Sequence, residues 1–131
     1  MWDDSPYFGF SSQRPWRAFS SDDASLSLAA QIAQEDSVFH HYQKLIALRH
    51  QEPALVQGRL ELIESPEKAL LIFKWLLADK EIYIFHNFST RNYDLSPFLA
   101  EVIGQAEILL GNSDEPLGLE GLESKWVAVS R

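Results

Sequence analysis

Asp3 and Asp4 stand side by side in the opening segment Met1-Trp2-Asp3-Asp4-Ser5-Pro6-Tyr7-Phe8-Gly9-Phe10, within a stretch of 24 residues that carries six aromatic side chains. Paired carboxylates serve as acid, base or nucleophile only when they face each other across the reacting bond. Adjacent residues on a rigid backbone cannot be aimed that way, so Asp3 and Asp4 are not read as a catalytic pair. Trp2, Tyr7, Phe8, Phe10 and Trp16 have two uses: flat faces at the rim of a pocket, or anchors that hold a loop down by burial. Their density favours anchoring. His40 and His41 are neighbours that point about 100° apart on a helix, and His50 and His86 are isolated, so no metal site is expected. No glycine-rich phosphate loop and no nucleophile elbow occurs, and no cofactor is implied. The acids Asp22, Asp23, Glu35, Asp36, Asp114 and Glu115 read as solvated loop and helix-start charge.

The charge balance excludes other chemistry. Nineteen acids against eleven bases give a net charge of −8, and no Lys/Arg stripe relieves the repulsion a phosphate backbone would meet, so nucleic acid is not an expected partner. The N-terminus places Asp3 and Asp4 where an export signal needs basic residues, and Lys74 interrupts the apolar run from Ala69. Neither a signal peptide nor a membrane span is expected. Without cysteine there are no disulfides or thiol ligands, which suits a cytoplasmic location.

These residues need elements to hold them. Residues 1–24 have neither helical nor strand periodicity, and a loop that long must lie against something. Leu26 to Gln34 reads as a short helix or irregular lead-in. Asp36 or Ser37 then caps a helix over about 37–50, where Val38, Phe39, Tyr42, Leu45 and Ile46 repeat at helical spacing until Pro53. Beyond Pro53 the period becomes strand-like. Leu60 and Leu62 alternate with charge, a turn follows at Ser65–Lys68, and Ala69–Leu77 is almost wholly apolar, as a strand covered on both faces would be. Ile82–Phe88, Arg91–Leu95, Ala106–Leu110, Leu117–Leu122 and Lys125–Ser130 supply further strands, with residues 98–104 as a helical turn. The expected fold is mainly β, an antiparallel β-sandwich over 53–131, preceded by a long loop and one or two α-helices in 1–52.

The opening resembles the Met-Gln-Trp-Asp-(Asp/Asn)-Ser-x-x-x-Gly-Phe segment of glycoside hydrolase family 13, in the branch of oligo-1,6-glucosidases, α-glucosidases, dextran glucosidases and trehalose-6-phosphate hydrolases. Trp2, Asp3, Asp4, Ser5, Gly9 and Phe10 match it, and the Gln is absent. Pro15-Trp16 looks like the family's Pro-Trp element, and Asp36 to Arg49 looks like its last barrel helix. Leu55, Gly58, Ile72-Phe73 and Asn87-Phe88-Ser89 resemble the start of its C-terminal β domain; the likeness is loose beyond about residue 90.

The resemblance implies a retaining glycosidase whose two carboxylates stand about 5 to 5.5 Å apart, on strands upstream of the Trp-Asp segment. None of those motifs is present. The expectation is therefore the C-terminal part of an enzyme that hydrolyses α-1,4 or α-1,6 glucosidic bonds, itself structural and non-catalytic, with residues 1–52 as the loop and last helix of a (β/α)8 barrel. Trp2, Asp3, Tyr7 and Phe8 would lie at the rim of the parent's active site. The parent's partners would be an α-glucooligosaccharide and the barrel of the same enzyme, and the 37–50 helix offers a surface for a homodimer. The alternative is a stand-alone β-sandwich that binds carbohydrate or a protein.

Overall fold

The computed structural model describes residues 1–130; Arg131, the last residue of the expected β domain, lies outside the described residues. The chain divides into two compact units, Met1–Ala47 and Leu48–Arg131.

In the first unit a short helix, α1 (Leu28–Ala33), follows the long irregular segment, and Ser27 caps it by accepting the Ala30 N–H at 3.3 Å. The long helix α2 (Val38–Gln51) begins in this unit and runs on into the next. Buried Ser37 stands at its start, accepting the His40 N–H at 3.4 Å and donating its own hydroxyl to the Gln31 carbonyl at 2.5 Å. Arg49 and His50 occupy the last turn, where positive charge complements the exposed carbonyls. Along α2, Val38, Tyr42 and Ile46 remain 65%, 61% and 55% exposed. Their spacing of four puts all three on one face.

The second unit is built on an antiparallel sheet of five strands in the order β1-β2-β3-β7-β5. The strands are β1 (Arg59–Ile63), β2 (Leu70–Leu77), β3 (Lys80–Asn87), β5 (Ala106–Leu110) and β7 (Ser124–Ser130); β4 (Tyr93–Asp94) and β6 (Gly118–Leu119) pair separately. Two hairpins set the register. The β1–β2 hairpin closes with Ile63 opposite Ile72, and the β2–β3 hairpin with Leu77 opposite Lys80 across the two-residue turn Ala78-Asp79. The middle strand is β3, and β2 stands one strand in from the edge.

Alternation along the strands explains why β2 is apolar on both sides. Ile72 of β2, Tyr83 and Phe85 of β3 and Val127 and Val129 of β7 form one core with Leu95 and Leu99, the latter in the short helix α4 (Ser96–Leu99), and Leu119 of β6. Ile82, Ile84 and Ala128 form a second core beneath Ala54 and Leu55 of α3 (Ala54–Gln57), with Phe73, Trp75 and Trp126 packed against it. Burying each large side chain such as Phe85 contributes roughly 1.5–3 kcal/mol. Phe73 is half-buried, and the fully buried position is Ile72 next to it.

Two polar devices tie the connecting loops to the sheet. Buried Asn87 donates through Nδ2 to the carbonyls of Arg91 at 2.6 Å and Glu120 at 2.7 Å, and its Oδ1 accepts from the Ser89 N–H and hydroxyl, both at 2.9 Å. Every side-chain hydrogen-bonding group of Asn87 is thereby occupied, which gives Asn87-Phe88-Ser89 a physical meaning as the clasp at the end of β3. Lys125, fully buried, donates to Ser113 Oγ at 3.2 Å, to the Glu115 carbonyl at 2.7 Å and to the Gly118 carbonyl, and stands 3.6 Å from buried Glu123 Oε1. Glu123 in turn accepts the Asn112 N–H at 2.8 Å and the Glu120 N–H at 2.6 Å. The loop 111–118 is held by this pair together with Leu117, which packs against the first core.

Candidate functional site

The opening segment folds as a tight hook. Pro6–Gly9 forms a 3-10 turn in which Tyr7, Phe8 and Gly9 take φ of 58°, 55° and 62°. Left-handed backbone suits Gly9, but at two consecutive bulky aromatics it stores strain, which persists only where the surroundings fix it. Backbone bonds supply that fixing. Trp2 N–H donates to the Phe8 carbonyl at 2.8 Å, Phe8 N–H to the Ser5 carbonyl at 2.8 Å, and the Met1 and Trp2 carbonyls accept from Leu28 and Ala29 of α1 at 3.1 and 2.9 Å. Phe8 and Phe10 set their edges against Phe19, centroids 5.1 and 6.2 Å away.

Asp3 sits inside the hook. Its Oδ1 accepts the Ser5 N–H at 2.9 Å and the Ser5 hydroxyl, and these bonds hold its carboxyl below the usual carboxylate range. Its carboxylate also occupies the space above Gly9, where an added Cβ would meet Asp3 Oδ2 at 2.7 Å. The glycine therefore serves twice, for its φ and for the approach of Asp3. An ionised, pre-oriented carboxylate can accept hydrogen bonds from hydroxyl groups; held this way it does not act as a proton donor near neutral pH.

The sequence-predicted rim residues thus meet in one turn. Trp2, 57% exposed, and Tyr7, 40% exposed, present ring surface, while Phe8 is half-buried against Phe19. The expectation that the aromatics anchor the loop by burial is corrected for most of them: Phe10 and Trp16 are also exposed, at 64% and 97%. Phe8 and Phe19 do the anchoring. On the other side of Tyr7 lies an open cleft of about 430 Å³ lined by Arg14, Trp16, Arg17, Phe19 and Asp22, which the sequence reading did not single out. The flanking of Pro15-Trp16 by two arginines was the signal available.

The remaining candidates stay apart. His40 Nδ1 is 2.9 Å from the Gln34 carbonyl and 3.1 Å from Ser37 Oγ, whereas His41 is exposed. His86 lies between the Phe73 and Phe88 rings, each 6.2 Å away, and burial pushes its pKa down. Among the described residues no group of three metal-ligating side chains converges, and no helix is long and apolar enough to cross a membrane.

The family model for the α-amylase catalytic domain matches residues 1–58. Across 115 residues the chain is 28% identical to an oligo-1,6-glucosidase of Halalkalibacterium halodurans, a match covering 88% of this chain and 20% of that protein. It is 26% identical over 124 residues to a trehalose-6-phosphate hydrolase of Bacillus subtilis, covering 93% of this chain and 22% of the relative. The chain belongs to glycoside hydrolase family 13. Within this family its relatives are the oligo-1,6-glucosidase, α-glucosidase and trehalose-6-phosphate hydrolase branch. The fold agrees: the crystal structure of Bacillus licheniformis trehalose-6-phosphate hydrolase superposes with a TM-score of 0.83 at 22% identity, over 99% of this chain and 25% of that one. The family-13 chain described here spans about a fifth of the length of these curated relatives.

Proposed function

We propose that the chain is the structural, non-catalytic C-terminal part of an α-glucosidase-like enzyme acting on α-1,4 or α-1,6 glucosidic bonds in oligosaccharides, with Trp2, Asp3, Tyr7 and Phe8 at the sugar-facing rim. The observation that carries this reading is the hook: a Ser5-bound carboxylate and exposed rings gathered in one strained turn, within the segment matched by the catalytic-domain model. A held carboxylate beside flat apolar faces is the chemistry that recognises a hydroxyl-rich ring. In this reading residues 1–52 are the loop and last helix of the barrel, 53–131 are a domain of the β-sandwich type, and the barrel of the same enzyme is the partner. A cysteine-free chain of this kind works in the cytoplasm.

Catalysis is assigned elsewhere because retention requires two opposed carboxylates. Three of the acids within the matched segment have local tasks here: Asp3 binds Ser5, Asp23 accepts the Ser25 N–H at 2.9 Å, and Glu52 lies 2.5 Å from Lys80 Nζ. Titrating isotope-labelled chain with isomaltose and maltose tests the rim. Saturable shifts confined to residues 2–8 support it, and shifts absent from the hook at high sugar concentration overturn it.

A further inference from the structure

Among the described residues β1 has β2 on one side and no strand on the other. Which of its backbone groups face outward follows from the register. Phe88 N–H donates to the Ala69 carbonyl at 2.9 Å, so the even-numbered residues of β3 and the odd-numbered residues of β2 bond each other. The even-numbered residues of β2 turn to β1 instead, where Leu76, Lys74 and Ile72 stand opposite Arg59, Glu61 and Ile63. Alternation then directs the N–H and C=O groups of Leu60 and Leu62 to the open edge. These two leucines are 49% and 65% exposed.

An edge of this kind templates another strand unless something blunts it. The opposite edge, β5, is interrupted by a register shift between Ile108 and Leu110, a bulge of the sort that disturbs pairing. β1 pairs with β2 in unbroken register and contains no proline. Its charges form an opposed pair, Arg59 Nη2 lying 2.6 Å from Glu61 Oε1. That spacing is self-complementary. When two copies of β1 run antiparallel with Leu60 facing the other Leu60, each Arg59 faces the Glu61 of the other copy, and Gly58, with no side chain, faces Leu62. Opposite charges in facing positions favour a pairing and like charges disfavour it. Centring on Glu61 would set two carboxylates against each other, and centring on Leu62 would set Leu60 against Glu64. We propose that β1 pairs antiparallel with β1 of a second copy of this chain, centred on Leu60 and closed by Arg59–Glu61 ion pairs between the copies. Residues 58–62 of each copy make a small contact beside the roughly 20–30 residues a side of a stable interface, so the pairing is short-lived and is read by covalent trapping.

The chain has no cysteine, so single cysteines report the contact without background. Facing residues of a hydrogen-bonded antiparallel pair stand about 5.5 Å apart, within reach of a disulfide. In the proposed register the two copies of Leu62 are offset by about 13 Å along the strands. Full-length Leu60→Cys, Leu62→Cys and, on the bulged edge, Glu107→Cys are oxidised in parallel at the same high protein concentration. Leu60→Cys should form disulfide dimer at least about tenfold faster than the other two. Adding Arg59→Glu, which sets like charges in facing positions, should return it to their rate. Leu62→Pro removes an N–H that points away from β2, and it should do the same while the signals of β2, β3 and β7 stay in place. Leu60→Cys cross-linking no faster than Glu107→Cys overturns the pairing. Leu62→Cys cross-linking as fast as Leu60→Cys overturns the register. A fast Leu60→Cys rate that neither Arg59→Glu nor Leu62→Pro lowers overturns strand pairing as its source.

Discussion

Replacing Lys125 with methionine removes a fully buried ammonium and keeps most of the aliphatic stem in place. Its three donated hydrogen bonds, to Ser113 Oγ and the Glu115 and Gly118 carbonyls, are lost together with the attraction to Glu123 at 3.6 Å. Glu123 is left buried with its charge supported only by the Asn112 and Glu120 N–H groups. Removing one partner of a buried pair costs about 3–5 kcal/mol, because the other charge is stranded in a low-dielectric site. A domain this size has a total stability of about 5–15 kcal/mol, so the substitution should move the urea midpoint far toward zero. The two orphaned carbonyls belong to the 111–118 loop, so amide exchange should accelerate there, at Asn112 above all. The double variant Lys125→Met/Glu123→Gln should recover part of the loss, with a coupling energy of about 1–3 kcal/mol. A loss below about 1 kcal/mol for Lys125→Met, with an unchanged denaturant slope, would refute the assignment of the loop to this pair.

Gly9→Ala places a methyl group on the Asp3 carboxylate at a backbone φ of 62°, so the hook should open, seen as faster exchange of the Ser5 and Phe8 amides; unchanged protection would show that Asp3 does not pack on Gly9. The Asp94 carboxyl is held below its ordinary value first by the Ser96 hydroxyl at 2.6 Å and then by the Ser96 N–H at 2.9 Å. Because the folded pKa lies below the unfolded one, this contribution is complete above the usual carboxylate range and fades as pH falls through the folded value. Ser96→Ala should therefore raise the Asp94 titration midpoint, read by carboxyl-carbon resonance, and an unmoved midpoint contradicts the cause given. The exposed Val38, Tyr42 and Ile46 face of α2 should drive formation of a homodimer, which Ile46→Lys returns to monomer in light scattering; a strict monomer at high concentration with fast exchange over 38–46 rules that out.

Much of the second unit could be read from the chain because the apolar pattern and the turn chemistry agree. Ala69–Leu77 is apolar on both faces, and β2 is indeed covered on both, by Leu95, Leu99 and Leu119 on one side and Ala54 and Leu55 on the other. The helix from Val38 ends close to Pro53 for the reason proline gives. The Glu123–Lys125 pair was not legible because charged residues just before and at the start of a strand are usually solvated. Their partners come from the loop just upstream, residues 112–120, folded back over them, which periodicity does not report. That Ile72 is buried more deeply than Phe73 was not legible either: both belong to one apolar run, and only the packing on each face reveals which is deeper. At the candidate site, the Trp2–Phe10 pattern placed Asp3 and the aromatics together, but the strain at Tyr7 and Phe8 and the cleft that Arg14 and Arg17 line depend on how the segment folds.

The central claim is that this family-13 chain carries a sugar-facing rim and no catalytic pair of its own. Release of nitrophenol from 4-nitrophenyl α-glucoside by the purified chain tests it most directly. The account predicts a rate equal to the buffer control at every enzyme concentration, because two-carboxylate retention has no working half. Turnover proportional to chain concentration, surviving further purification and abolished by Asp3→Asn, would contradict it.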